Sequence, residues 1–191
     1  MFTGLLLIAA ALLLQGYNLW DQARADRLAA EQLRALKLAM ADRDTENLPF
    51  DPDMEMPTVT IDGYEYIGTL EIPCIGISLP VMSQWSYSRL KVAPCRYAGS
   101  LYRGDMIIAA HNYKRHFGLL KTVPPGETVI FTDVDGRVFS YAVAEMEILP
   151  GTAVAEMESG EWDLTLFTCT KGGRTRITLR CNAVAQTDEQ W

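Results

Sequence analysis

Leu164-Thr165-Leu166-Phe167-Thr168-Cys169 is a β-prone run that ends in a cysteine, followed by the turn Thr170-Lys171-Gly172-Gly173 and a second run opening at Arg176. A thiol at the end of a strand, with Lys171, Arg174 and Arg176 close in sequence, sits where positive charge favours the thiolate. His111 stands in the same way at the end of the apolar run Met106-Ile107-Ile108-Ala109-Ala110, just before Asn112-Tyr113. A cysteine and a histidine on two strand ends supply what nucleophilic acyl transfer needs, one group to attack and one to exchange protons with the leaving group. Taken singly, each also fits a plain structural role, a buried thiol or a hydrogen-bonded imidazole.

The other candidates are weaker. Ser88-Arg89-Leu90-Lys91 has the Ser-x-x-Lys form of a serine acyl-enzyme motif but lacks its companion motifs. His111 and His116 are five apart with no further ligand cluster nearby, so no metal or other cofactor is expected. With Cys169 assigned, Cys74, Cys95 and Cys181 are left, an odd number that allows at most one disulfide; they read as buried structural thiols. Glu156, Glu158, Glu161 and Asp163 precede the nucleophile strand and read as a solvated loop.

The elements that must position these groups are mostly strands. Strand signals cover Tyr64 to Ile72, Leu79 to Met82, Met106 to Ala110, Thr128 to Thr132, Val138 to Leu149, Leu164 to Cys169 and Arg176 to Ala183. Seven or eight short strands in about 130 residues imply a barrel or sandwich. Short helices are expected at Trp85 to Lys91 and His116 to Lys121. A chain of 191 residues with 49% hydrophobic content can bury one core of ordinary size, and 21% charged residues exclude a disordered chain. The net charge of -7 offers no footprint for nucleic acid.

Ahead of the strands, Phe2 to Trp20 carries no charge and would span about 28 Å as a helix, enough to cross a bilayer as an uncleaved anchor. Asp21 to Met40 reads as a helical stalk and the acidic, proline-containing stretch 42–57 as an extended linker, which puts the start of the folded domain near Thr58. Arg24, Arg27, Arg34 and Lys37 all follow the span, and charge counting taken literally would keep the body in the cytoplasm.

Over residues 64 to 183 the sequence resembles the sortases, the membrane-anchored cysteine transpeptidases of Gram-positive cell surfaces. Thr165-Leu166-Phe167-Thr168-Cys169 is similar to the family's Thr-Leu-x-Thr-Cys nucleophile motif, Ala110-His111-Asn112 falls where the family places its histidine, and Arg176 opens the next strand as the family arginine does. Gly68-Thr69-Leu70-Glu71-Ile72-Pro73 and Ile75-Gly76-Ile77-Ser78-Leu79-Pro80-Val81 look like its early strand pair. Two departures are visible: Ala110 stands where Gly is usual, and the short connection after Cys169 leaves Arg174 and Arg180 as rivals to Arg176. Strand alternation puts 174, 176 and 180 on one face and does not choose among them; the resemblance selects Arg176.

The resemblance implies a closed eight-stranded β-barrel, with Cys169, His111 and Arg176 as the catalytic group and Thr168, Ala110 and Asn112 contacting substrate. It implies cleavage of a C-terminal sorting motif of the Leu-Pro-x-Thr-Gly kind through a thioester. The cleaved protein would pass to an amine of a cell-wall precursor or a pilin, outside the cell and without a cofactor. The class is left open, B-like or D-like. The rival reading is a membrane-anchored barrel that binds a surface ligand without catalysis.

Overall fold

β-Branched and aromatic residues alternate with polar ones along most of the chain after residue 58, and each run is cut by a glycine, proline or aspartate turn, which forces short strands. In the computed structural model, which describes residues 2–43, 51–159 and 162–184, these are β1 (Val59–Ile61), β2 (Tyr64–Ile72), β3 (Ile77–Met82), β4 (Cys95–Ala98), β5 (Met106–Ala110), β6 (Thr128–Asp133), β7 (Val138–Pro150), β8 (Leu164–Cys169) and β9 (Thr175–Ala183). The sheet order is β1-β2-β3-β4-β5-β8-β9-β7-β6, and β6 pairs back onto β2. Eight strands, β2 to β9, therefore close into the barrel expected from the sequence, and β1 continues the edge of β2.

The closure turns on Gly68. Here β2 bulges, ends its pairing with β1 and takes up β6, with Gly68 opposite Asp133. Gly68 has φ of +153°, and a Cβ on it would collide with the Thr132 carbonyl and the Phe131 ring, so only glycine lets the strands meet. The core is filled by Leu70, Ile72, Val81, Met106, Ile108, Phe117, Phe131, Leu164, Leu166, Leu179 and Cys181.

The amino-terminal segment is one unbroken helix, α1 (Phe2–Ala41), rather than a span and a separate stalk. Residues 3–20 are exposed, and this helix is long and apolar enough by length and composition to cross a membrane. From Asp21 onward the helix expected as a stalk is present and lies against the barrel. Its buried stripe is Ala25, Ala29, Gln32 and Leu36, at helical spacing, whereas Leu38 is 74% exposed. Small residues let the helix approach closely, and the Gln32 side chain donates to Asp62 (2.8 Å) and accepts from the Tyr66 hydroxyl (3.2 Å). Lys37 to Glu71 (3.2 Å) and Arg43 to Asp135 (2.7 Å) fasten its far end. Of the expected acidic linker, residues 44–50 lie outside the described residues.

Two short helices complete the outer face: α2 (Tyr87–Leu90), capped by Ser86, whose Oγ accepts from the Arg89 amide, and α3 (Val154–Met157). The helix expected at His116 to Lys121 is a set of turns ending in a 3-10 turn at Leu120–Thr122. Of the acidic stretch read as a solvated loop, Glu156 and Glu158 are exposed as expected and Glu161 lies outside the described residues, but Glu156 sits on α3, which packs on the barrel wall through Met157.

Candidate active site

Strands β5 and β8 run parallel, with Ala110 opposite Thr168, so the next residues, His111 and Cys169, leave neighbouring strand ends on the same side of the barrel. The Thr168 hydroxyl donates to the Ala110 carbonyl at 2.8 Å and is 1% exposed. Thr168 and Ala110 thus face the interior and fix the two strand ends to each other; neither lines the cleft beside the cysteine. Asn112 lies exposed at the start of the loop after β5.

Alternation along β8 and β9 puts Leu164, Leu166, Ile177 and Leu179 inside, leaving Phe167, Cys169, Arg176, Thr178 and Arg180 on the outer wall. Cys169 and Arg176 are register partners across these antiparallel strands. Both line a cleft of about 230 Å³ together with Trp85, Tyr97, Ala109, Phe167, Gly151, Val154 and Met157. One wall is aromatic: Trp85 against Tyr97 at 5.4 Å between centroids, and Tyr97 edge-on to Phe167 at 5.3 Å. The opposite wall is α3.

The rival arginines separate clearly. Arg176 Nη1 donates to the carbonyls of Gly173 (2.9 Å) and Thr175 (3.2 Å), leaving Nε and Nη2 without a partner among the described residues. Arg180 is 2% exposed and fully engaged: Nε donates to Glu147 (2.8 Å), Nη1 to the Met157 carbonyl and Thr165 Oγ1 (3.1 Å each), and Nη2 to the Glu156 carbonyl. It ties α3 to the wall. Arg174 lies exposed in the turn.

His111 is half-buried, and that burial holds its imidazole below the usual histidine range; the Asp21 carboxylate pulls the other way, while Lys91 adds to the lowering. Its carbonyl accepts from the Phe117 amide (3.1 Å), and Gly118 donates to the Tyr113 carbonyl (2.9 Å), closing the loop that carries it. A Cβ on Gly118 would lie 2.7 Å from the Asn112 and Tyr113 carbonyls, so the loop needs glycine there. No hydrogen bond joins His111 to Cys169 among the described residues.

All four cysteines are free. Burial pushes the Cys95 and Cys181 thiols up to about 12, which keeps them protonated and unreactive. Cys74 is exposed rather than buried, correcting the sequence reading, and its thiol is also pushed up, by desolvation and the nearby Glu127. No cluster of metal-ligating side chains occurs among the described residues.

The aromatic wall and α3 were not legible as site elements. Trp85-x-Tyr87 in a polar loop was the one available signal.

A family model described as a sortase domain matches residues 70–187. The chain belongs to the sortase family. Among curated proteins, Sortase A of Bacillus anthracis is 23% identical over 177 residues, covering 86% of this chain and 84% of that one. Sortase C1 from Streptococcus suis has 25% identity and a TM-score of 0.57 over 67% of this chain and 78% of its own. A Clostridium perfringens sortase D5 transpeptidase aligns at 16% identity with a TM-score of 0.65, covering 83% of this chain and 99% of that one. These relatives span several sortase classes and leave the class of this chain open; sortases are transpeptidases, and the barrel with its few short helices is theirs.

Proposed function

We propose that this sortase is an active cysteine transpeptidase in which Cys169 attacks the carbonyl of a sorting-motif residue. What supports the reading is that Cys169 and its register partner Arg176 line one cleft walled by aromatic residues, while His111 follows the strand that pairs in parallel with the nucleophile strand. His111, neutral near pH 7, takes the thiol proton as the sulfur attacks and gives it to the departing amine, so a C–S bond forms, the C–N bond breaks and the proton ends on the amine. An incoming amine then attacks the thioester, His111 accepts its proton, and the thiol is regenerated. The free donors of Arg176 answer the charge on the carbonyl oxygen, where losing one donor typically costs about 10²- to 10³-fold in rate. Thr168 and Ala110 hold the strand ends, and Asn112 borders the entrance.

The substrate is a secreted protein with a C-terminal motif of the Leu-Pro-x-Thr-Gly kind, whose apolar side chain lies against Trp85, Tyr97 and Phe167. The acceptor is a cell-wall or pilin amine. The apolar part of α1 anchors the enzyme as a single span with the barrel outside the cell; protease added to intact protoplasts should digest the barrel, and full protection would contradict this topology. To test the reaction, the full chain is incubated with fluorogenic sorting-motif peptides: cleavage that disappears in Cys169→Ala supports it, and binding without cleavage favours a non-catalytic surface-binding barrel.

A further inference from the structure

Asp21 is the first charged residue after the apolar part of α1, yet it reaches the site. The Tyr113 hydroxyl donates to Asp21 Oδ2 at 2.7 Å. The Tyr113 ring packs against His111 at 4.9 Å between centroids, tilted by 41°, and meets His116 edge-on at 5.4 Å, so it is held between the two imidazoles of the loop. The helix is fixed here by Ala25 and Ala29, both buried, and by Asp26 facing Arg115 at 3.9 Å.

We infer that Asp21 is a positioning residue for His111, acting through Tyr113, so that the anchor helix completes the active site it carries. This rests on the proton-transfer role of His111 proposed above. The phenol is oriented by the carboxylate and in turn fixes the ring plane of His111. The carboxylate also favours the imidazolium that forms when the thiol proton is taken. Among the charged and titratable groups, Lys91 after α2 acts on His111 directly, Tyr113, Lys114, Arg115 and His116 share its loop, Arg24 lies beside Asp21 on α1, and Cys169 ends the neighbouring strand; Lys91 opposes the imidazolium and Asp21 offsets it. Burial and the bond to Asp21 push the Tyr113 phenol up to about 12, so it stays a donor throughout the working range.

The chain has two histidines, so the imidazole NMR signals of the full-length protein in micelles can be assigned by one substitution and titrated individually. Asp21→Asn keeps an acceptor for Tyr113 but removes the charge, and should move the His111 titration to lower pH by at least about half a pH unit. It should lower kcat by about three- to tenfold with KM nearly unchanged. Tyr113→Phe keeps the ring and breaks the bond, and should lower kcat alike, while Asp21→Glu restores most of both. An unmoved His111 titration in Asp21→Asn, or a shift of His116 equal to that of His111, overturns the inference. Because the titration needs no turnover, a parent enzyme that cleaves no peptide but shows the His111 shift would count against the transpeptidase reading while leaving the coupling in place.

Discussion

Cys169 and Arg176 face each other as register partners at the last rung of the β8–β9 ladder, and the connection between them closes through the Thr170 amide bonding the Thr175 carbonyl at 3.0 Å. The short turn thus fixes an arginine beside a thiol without any long loop. Gly151 backs the guanidinium, and a Cβ there would stand 3.3 Å from Arg176 Nη1.

Arg176→Lys should lower kcat/KM by at least about tenfold, because an ammonium cannot hold the turn carbonyls and present further donors to substrate at once. Arg174→Lys should stay within about threefold, since that side chain lies exposed in the turn. Steady-state kinetics on one peptide series checks both.

Arg180 has a different task. Its bonds to the Glu156 and Met157 carbonyls make it the tie of α3, one wall of the cleft, rather than a rival for the oxyanion. Arg180→Ala should destabilise the fold by about 2–4 kcal/mol, because buried carbonyls and Thr165 lose their partner. Arg180→Lys, which can keep only some of these bonds, should raise KM several-fold more than it lowers kcat. Thermal melts and the KM-against-kcat split are the measurements.

The burial of His111 sets the acid limb of activity. Its pKa lies below the ordinary value of 6.5, so the neutral base persists to lower pH than a free imidazole would, and the acid limb of kcat/KM should have its midpoint below that of a free imidazole. A pH profile with its acid midpoint above 7 would exclude His111 as the base.

His116 predicts a pH effect on stability rather than on rate. It is fully buried against α1, and desolvation drops it to about 4. Between the unfolded value near 6.5 and the folded one, only the unfolded chain binds the proton, so its share of stability is present above about pH 6.5 and is lost as pH falls. At about 1.4 kcal/mol per pH unit the loss approaches 3 kcal/mol near pH 4. His116→Phe should flatten the fall of melting temperature between pH 7 and pH 4.

The strand pattern was legible because each run is bounded by turn residues: Tyr64–Ile72, Met106–Ala110 and Leu164–Cys169 were read with the bounds the structure gives them. The three-residue β1 and the four-residue β4 were missed, being too short for a period to register, and Cys95–Ala98 directly follows Pro94. The docking of α1 was hidden for another reason. Its contact stripe uses Ala25, Ala29, Gln32 and Leu36, while periodicity draws the eye to Leu28, Leu33, Leu36 and Met40, of which only Leu36 is buried. Strand alternation alone could not separate Arg176 from Arg180; what separates them is α3, a non-local partner that covers one and leaves the other at the cleft.

Cys169 is expected to form a thioester with a sorting-motif peptide. Intact-protein mass spectrometry of the full chain, quenched in acid during turnover, should show an adduct equal to the acyl part of the peptide, mapped by digestion to Cys169 and absent in Cys169→Ala. An adduct on Cys74, or continued cleavage by Cys169→Ala, would contradict it.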